Sequence, residues 1–216
     1  MPHILELRLP PRWRIPLLES ALAAARRLKD RSNESFHLNT LGIAYRDLGE
    51  TRRAIEFHEQ ALVIAREIRD KRGEGSALGG LGSAYYFLGE PRRAIEFYEQ
   101  ALVIDRETGN KRGEGQDLGN LGSAYADLGE PRRAMEYYEQ AQVILHEIGD
   151  RQGKAMISWN MGELLEAQGE FKRAAGLMQV IVDFYASIGH SQAEGLVKHL
   201  EEVRKKAEEQ GVEKRE

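Results

Sequence analysis

Cysteine is absent from the 216 residues. A disulfide-stapled secreted scaffold and any thiolate metal or redox site are therefore excluded. Long apolar runs are missing as well, and none approaches the roughly 18 residues that a membrane-spanning helix needs. The segment Met1–Asp30 is broken by charges and prolines and has no signal-peptide core. A strong charge excess is also missing. The net charge of −4 gives no global attraction to nucleic acid or anionic lipid. The expectation is a soluble, intracellular, cytoplasmic chain with no membrane association. Its hydrophobic fraction of 41% and charged fraction of 31% are ordinary, and its length suits one or two domains.

What is present is repetition, with a period of 40 residues. The block from Leu38, LNTLGIAYRDLGETRRAIEFHEQALVIAREIRDKRGEGSA, returns from Leu78 with 27 of 40 positions identical. The block from Leu118 shares 24 of 40 positions with the one before it. A diverged copy starts at Ser158. The register also runs backwards, because Glu19, Ala21, Leu22, Arg26 and Asp30 align with Glu59, Ala61, Leu62, Arg66 and Asp70. The expected organisation is an N-terminal segment plus half repeat at 1–37, then repeats at 38–77, 78–117 and 118–157. A diverged fourth repeat spans 158–191, and a C-terminal capping helix and tail span 192–216.

Each block reads as two helices. Leu78, Leu81, Gly82, Tyr85 and Leu88 form one apolar stripe, and Gly89 ends it. Pro91 suits the first turn of a second helix carrying Ala94, Ile95, Tyr98, Ala101, Leu102 and Asp105. First helices are expected near 38–48, 78–88, 118–128 and 158–168. Second helices are expected near 51–69, 91–108, 131–148 and 171–188, with a preceding helix near 13–29. Small residues recur in register (Gly42, Ala54, Ala61; Gly82, Ala94, Ala101; Gly122, Ala134, Ala141) where helices must approach closely. One helix pair cannot bury its own apolar face, so neighbours must stack.

The pattern Leu-Gly-x-x-Tyr followed by Ala-x-x-x-aromatic-x-x-Ala carries a resemblance. It occurs as Leu41, Gly42, Tyr45, Ala54, His58, Ala61, then Leu81, Gly82, Tyr85, Ala94, Tyr98, Ala101, then Leu121, Gly122, Tyr125, Ala134, Tyr138, Ala141. It resembles the tetratricopeptide repeat, strongly over 38–157 and weakly over 158–197 at Met161, Gly162, Leu165 and Ala174. The 40-residue period is longer than the usual ~34. It is similar to the long-helix variant of kinesin light chains and spindle-orientation scaffolds, and to arrays in bacterial signal-transduction ATPases. The resemblance implies an all-α, right-handed α-solenoid, with first helices lining a concave face and second helices outside.

No catalytic, cofactor or metal constellation emerges, so an enzyme is not expected. His3, His37, His58, His146, His190 and His199 form no ligand pair, and His58 takes the aromatic position of its repeat, where a packed histidine is expected. Arg72-Gly73-Glu74-Gly75 and Arg112-Gly113-Glu114-Gly115 lack the Gly-Lys-Ser/Thr ending of a phosphate cradle and read as inter-repeat turns. Paired carboxylates such as Glu96 and Glu99 read as a solvated face. Arg52-Arg53, Arg92-Arg93, Arg132-Arg133 and Lys172-Arg173 would form a basic ladder. Glu56, Glu96 and Glu136 lie four residues after the first arginine of their pairs and can neutralise it. No aromatics are interleaved to stack bases, so nucleic acid is not the expected partner.

The concave surface is where the copies differ. Its expected partner-binding residues are Asn39, Ile43 and Arg46 in the first repeat and Gly79, Ser83, Tyr86 and Phe87 in the second. The third contributes Asn120, Ser123 and Asp127, and the fourth Trp159, Asn160 and Glu163. Gly79 and Gly80 in mid-helix each cost about 1 kcal/mol relative to alanine. Both close approach of a partner backbone and simple drift in a duplicated array account for them. The resemblance implies that Asn120 and Asn160 bind an extended peptide backbone. With no lysine and only Arg46 in the groove, the subclass that grips a terminal carboxylate is rejected. The expected function is a scaffold holding a partner's peptide or helix. The alternative is a sensor or oligomerisation arm of a larger signal-transduction ATPase.

The ends add two expectations. Ile4, Leu5, Leu7, Leu9 and Trp13 either cover the unpartnered side of the N-terminal helix or leave it open for a homodimer or for upstream repeats. Leu196, Leu200, Val203 and Ala207 form the stripe of a polar cap, and Gln210–Glu216 is expected to fray.

Overall fold

The computed structural model describes residues 10–189 and 193–213. Among the described residues it contains ten helices and no strand. They are α1 (Pro11–Leu28), α2 (Arg31–Asp47), α3 (Thr51–Glu67), α4 (Lys71–Phe87), α5 (Pro91–Thr108), α6 (Lys111–Asp127), α7 (Pro131–Glu147), α8 (Arg151–Ala167), α9 (Phe171–Ser187) and α10 (Ala193–Glu213). From α1 to α5 and from α7 to α10 each helix packs on the next, the arrangement of an all-α repeat solenoid.

The second helices lie where the stripes place them. The first helices begin seven residues earlier than expected. The Arg-Gly-Glu-Gly segments are their first turns, not inter-repeat turns. A capping side chain sets each start: Asp30 accepts from Asn33 N, Asp70 from Gly73 N and Asp150 from Gly153 N. Such a cap stabilises by about 1 kcal/mol. At the other end of α4, Gly89 adopts φ 76°, and Glu90 N reaches back to Tyr85 O at 3.0 Å.

The chain divides into two compact units, Met1–Ala124 and Tyr125–Glu216. In the first, Leu38, Leu41, Leu78, Leu81, Leu118 and Leu121 are buried, each contributing roughly 1.5–3 kcal/mol. The recurring glycines act as expected. A Cβ on Gly82 would meet the Tyr98 ring at 2.6 Å, and one on Gly42 would meet the His58 ring at 2.6 Å. On α1, Ile15, Leu18, Leu22 and Ala25 are buried, while Trp13 is 62% exposed, Leu17 53% and Leu28 73%. Ile4, Leu5, Leu7, Leu9, His3 and His190 lie outside the described residues.

In the second unit, Leu165, Ala174, Ala175, Met178, Val182, Leu200 and Val203 form one core. The α10 stripe packs as expected. The fraying expected from Gln210 onward does not hold through Glu213. Helix α10 runs to that residue, and Gln210 Nε2 donates to Gly169 O at 3.1 Å.

Candidate functional site: a cleft in the first unit

Helices α2, α4 and α6 border a cleft of about 520 Å³. Of the expected partner-binding residues, it brings together Asn39, Ile43, Arg46, Gly79, Ser83, Phe87 and Asn120. Tyr86 sits beside it, edge-on to Phe87 with ring centroids 6.2 Å apart. Phe87 is 65% exposed, with the Arg46 guanidinium 5.5 Å from its ring. Ser123 donates to Gly119 O at 3.2 Å. Asp127, Trp159, Asn160 and Glu163 belong to the second unit. There Trp159 and Asn160 line a separate hollow of about 520 Å³ with Met156, Ile181, Tyr185 and Leu196. Asp127 and Glu163 are exposed and do not line it.

His58 is the packed core histidine that its position implies. It is fully buried, and Asn39 Oδ1 lies 2.7 Å from its Nδ1. An amide oxygen only accepts, so Nδ1 carries the hydrogen. Burial, reinforced by the charge of Arg46, pushes the imidazole pKa down to about 4. The contact also occupies the amide oxygen of Asn39, which narrows what that residue can offer a partner.

The cleft also holds two residues outside the expected binding set, Asp105 on α5 and Asp117 on α6. They are 4% and 5% exposed. The signal lay in register. Asp105 stands where the neighbouring repeats have Ala65 and Leu145, and Asp117 where they have Ala77 and Ile157. Burial, then the charge of Asp105, pushes the Asp117 carboxyl up to about 8. Burial also raises Asp105, opposed by a hydrogen bond from Asn110 Nδ2 at 2.9 Å.

The arginine ladder is largely structural. Arg53, Arg93, Arg133 and Arg173 pair with Glu50, Glu90, Glu130 and Glu170, three residues earlier. No ion pair joins Arg52, Arg92 or Arg132 to the glutamate four residues on, among the described residues. Arg53 and Arg93 also lie 4.0 and 3.8 Å above the rings of Tyr45 and Tyr85. Those rings stack in turn on Phe57 and Phe97. A stacked, paired guanidinium is already committed to its own repeat. Nearby, a hydrogen bond from Arg66, opposed by burial and aided by Lys71, holds the Glu74 carboxyl below its ordinary value. Among the described residues, no group of His, Asp and Glu could hold a metal, and no helix is long and apolar enough to cross a membrane.

The fold has solved counterparts. BtubC (BKLC) from P. vanneervenii matches with a TM-score of 0.70 and 22% identity, over 91% of each chain. A putative kinesin light chain of Podospora anserina with nearly identical TPR-like repeats matches with a TM-score of 0.65 and 21% identity. That match covers 87% of this chain and 94% of the other. A Rap protein complexed with Competence and Sporulation Factor matches with a TM-score of 0.66 and 17% identity, over 93% of this chain and 60% of that one. No curated protein matches the sequence. The family model described as tetratricopeptide repeat matches residues 15–67, 53–107 and 73–145, more than half of the chain. The chain belongs to the tetratricopeptide repeat family.

Proposed function

We propose that the protein is a non-enzymatic, cytoplasmic interaction scaffold whose first unit holds a peptide or helix of a partner in the cleft between α2, α4 and α6. The observation that carries this reading is the composition of the cleft. Gly75, Gly79 and Gly80 line it on α4, where their missing side chains make room for Asp105, Asp117 and the His58 ring, the Asn120 amide lies on one wall, and Phe87 stands exposed at the rim. An amide both donates and accepts, and a largely exposed aromatic among small residues suits an anchor. Family membership supports the reading, since these repeats commonly mediate protein–protein contact. So does a Rap conjugation regulator solved with the Phr* peptide, 16% identical to this chain, which spans 50% of its length. The test is an affinity pull-down with the full chain. One stoichiometric partner should be recovered by the wild type and lost with Tyr86→Ala and Phe87→Ala combined. A partner retained equally by that variant would remove the cleft from the binding surface.

A second reading, a docking and oligomerising arm of a larger signalling ATPase system, rests on α1. Trp13, Leu17 and Leu28 are exposed there beside a buried stripe. Two copies of the chain burying these residues against each other would form an isologous dimer. Light scattering across a concentration series separates this reading from a monomeric scaffold.

A further inference from the structure

Buried carboxylates at core positions are costly, and this chain places two at one repeat junction. The first repeat has Ala65 and Ala77 at these positions and folds around them without charge. Asp105 has Asn110 for a donor. Asp117 has no hydrogen-bond partner among the described residues, although it is 95% buried. Its carboxylate opens to the cleft and takes no donor from the described residues.

Both acids face the cleft, next to glycines of α4. A Cβ on Gly79 would lie 3.2 Å from Asp117 Oδ1, and one on Gly75 would lie 3.2 Å from Asp105 Oδ1. Glycine at both positions leaves room for the carboxylates beside α4. On the far side, a Cβ on Gly113 would lie 1.9 Å from Asp105 Oδ2, so only glycine fits there.

The chain's own cations do not answer the pair. Arg46 of α2 is held by Asp47 at 2.8 Å and Ser83 at 2.9 Å. Arg106 of α5 and Lys111 of α6 both pair with Glu114. Arg112 lines the cleft but forms no ion pair with either acid among the described residues.

We propose that Asp117, assisted by Asp105, receives a cationic side chain, a lysine or arginine of the segment bound in this cleft. The assignment rests on the peptide-binding reading above and specifies its chemistry. An ammonium or guanidinium brings several charge-assisted donors to the Asp117 oxygens, which have none from the described residues. Burial and mutual repulsion keep Asp117 protonated near neutrality in the free chain, and the arriving cation displaces that proton.

The test uses a phage-displayed library of random 12-residue peptides selected on the full chain. Affinities of the selected peptides are then measured by fluorescence anisotropy. A variant with Asp105→Ala, Asn110→Asp and Asp117→Ala restores the residues of the first repeat, and a thermal melt establishes that it is folded. The selected peptides should share one lysine or arginine. Replacing that residue with norleucine or glutamine should weaken binding to the wild type at least about tenfold, the order expected for a lost charge-assisted contact. On the variant the same replacement should change affinity less than about twofold. Peptides that bind and depend on Phe87, yet need no basic residue or lose equally on both proteins, overturn the assignment while the cleft remains a peptide site. Failure to select any peptide that depends on Phe87 overturns the cleft reading and the assignment with it.

Discussion

Asn110 donates from Nδ2 to Asp105 Oδ1 at 2.9 Å, and both residues depart from their own register. The equivalent of Asn110 is Asp30, Asp70 and Asp150 in the other repeats, each a helix cap. Asn110 keeps the capping oxygen, which accepts from Gly113 N at 3.3 Å, and gains a donor for the buried acid. A third carboxylate at this place would add repulsion to a junction that already holds Asp105 and Asp117.

That coupling is measurable. Asn110→Asp alone should destabilise the chain by about 1–3 kcal/mol, because it removes a donor and adds a charge beside Asp105. With Asp105→Ala in place, the same substitution should cost less than about 0.5 kcal/mol. Urea denaturation of the four proteins in the cycle gives the interaction energy.

The buried acids and His58 set opposite pH trends. Asp117 titrates near 8 when folded and near 4 when unfolded. Between those values the unfolded chain has lost a proton that the folded chain retains, so stability falls as pH rises. Asp117→Ala should flatten this decline, and denaturant midpoints at pH 5 and pH 8.5 would show it. The same variant should abolish the pH dependence of binding a lysine-bearing peptide, which in the wild type tightens from pH 6 to 8.5.

His58 acts at the acid end. Its folded pKa of about 4 lies below the ordinary value of 6.5. Stability from this residue is complete above about pH 6.5 and is lost as pH falls toward 4. His58→Phe should lessen that acid loss, since a ring still fills the space beside Gly42 without a group that must charge. Equal acid sensitivity in the two proteins would contradict the assignment.

Arg69 tests the repeat logic in a different place. It holds φ 58°, where the next two repeats have Gly109 at 68° and Gly149 at 69°. Arg69→Gly should stabilise by about 0.5–1 kcal/mol, because the left-handed conformation strains a residue with a Cβ. Thermal unfolding reads the change directly.

Leu81 and Phe87 separate packing from recognition. Leu81→Ala empties a site that is 1% exposed and should cost about 2–5 kcal/mol of stability. Tyr86→Ala with Phe87→Ala should change stability much less, yet weaken partner binding by at least ~2 kcal/mol.

The helix pairs were legible in sequence because Leu81, Gly82 and Tyr85 repeat with their spacing intact, and packing geometry imposes that spacing. The starts of the first helices were not. Gly73 and Gly75 read as a turn by composition, whereas the Asp70 cap and the packing of α4 on α3 and α5 outweigh glycine's low helix propensity. The cleft positions on α2 and α4 followed from the period. Asp105 was assigned correctly to the inward stripe, but its consequence depends on Asp117, which reaches the same junction from another helix. Periodicity places each residue on its own helix and says nothing of such a meeting. Asn39 was expected in the groove, and only the position of His58 reveals that its amide oxygen is already engaged.

The most direct measurement is hydrogen–deuterium exchange of the full chain with and without its stoichiometric partner. Binding in the cleft predicts added protection in α4 and in residues 111–120 of α6, with the greatest change around Gly79 and Gly80, and little change in α1. Protection confined to α1, with α4 unaffected, would contradict the cleft as the binding surface.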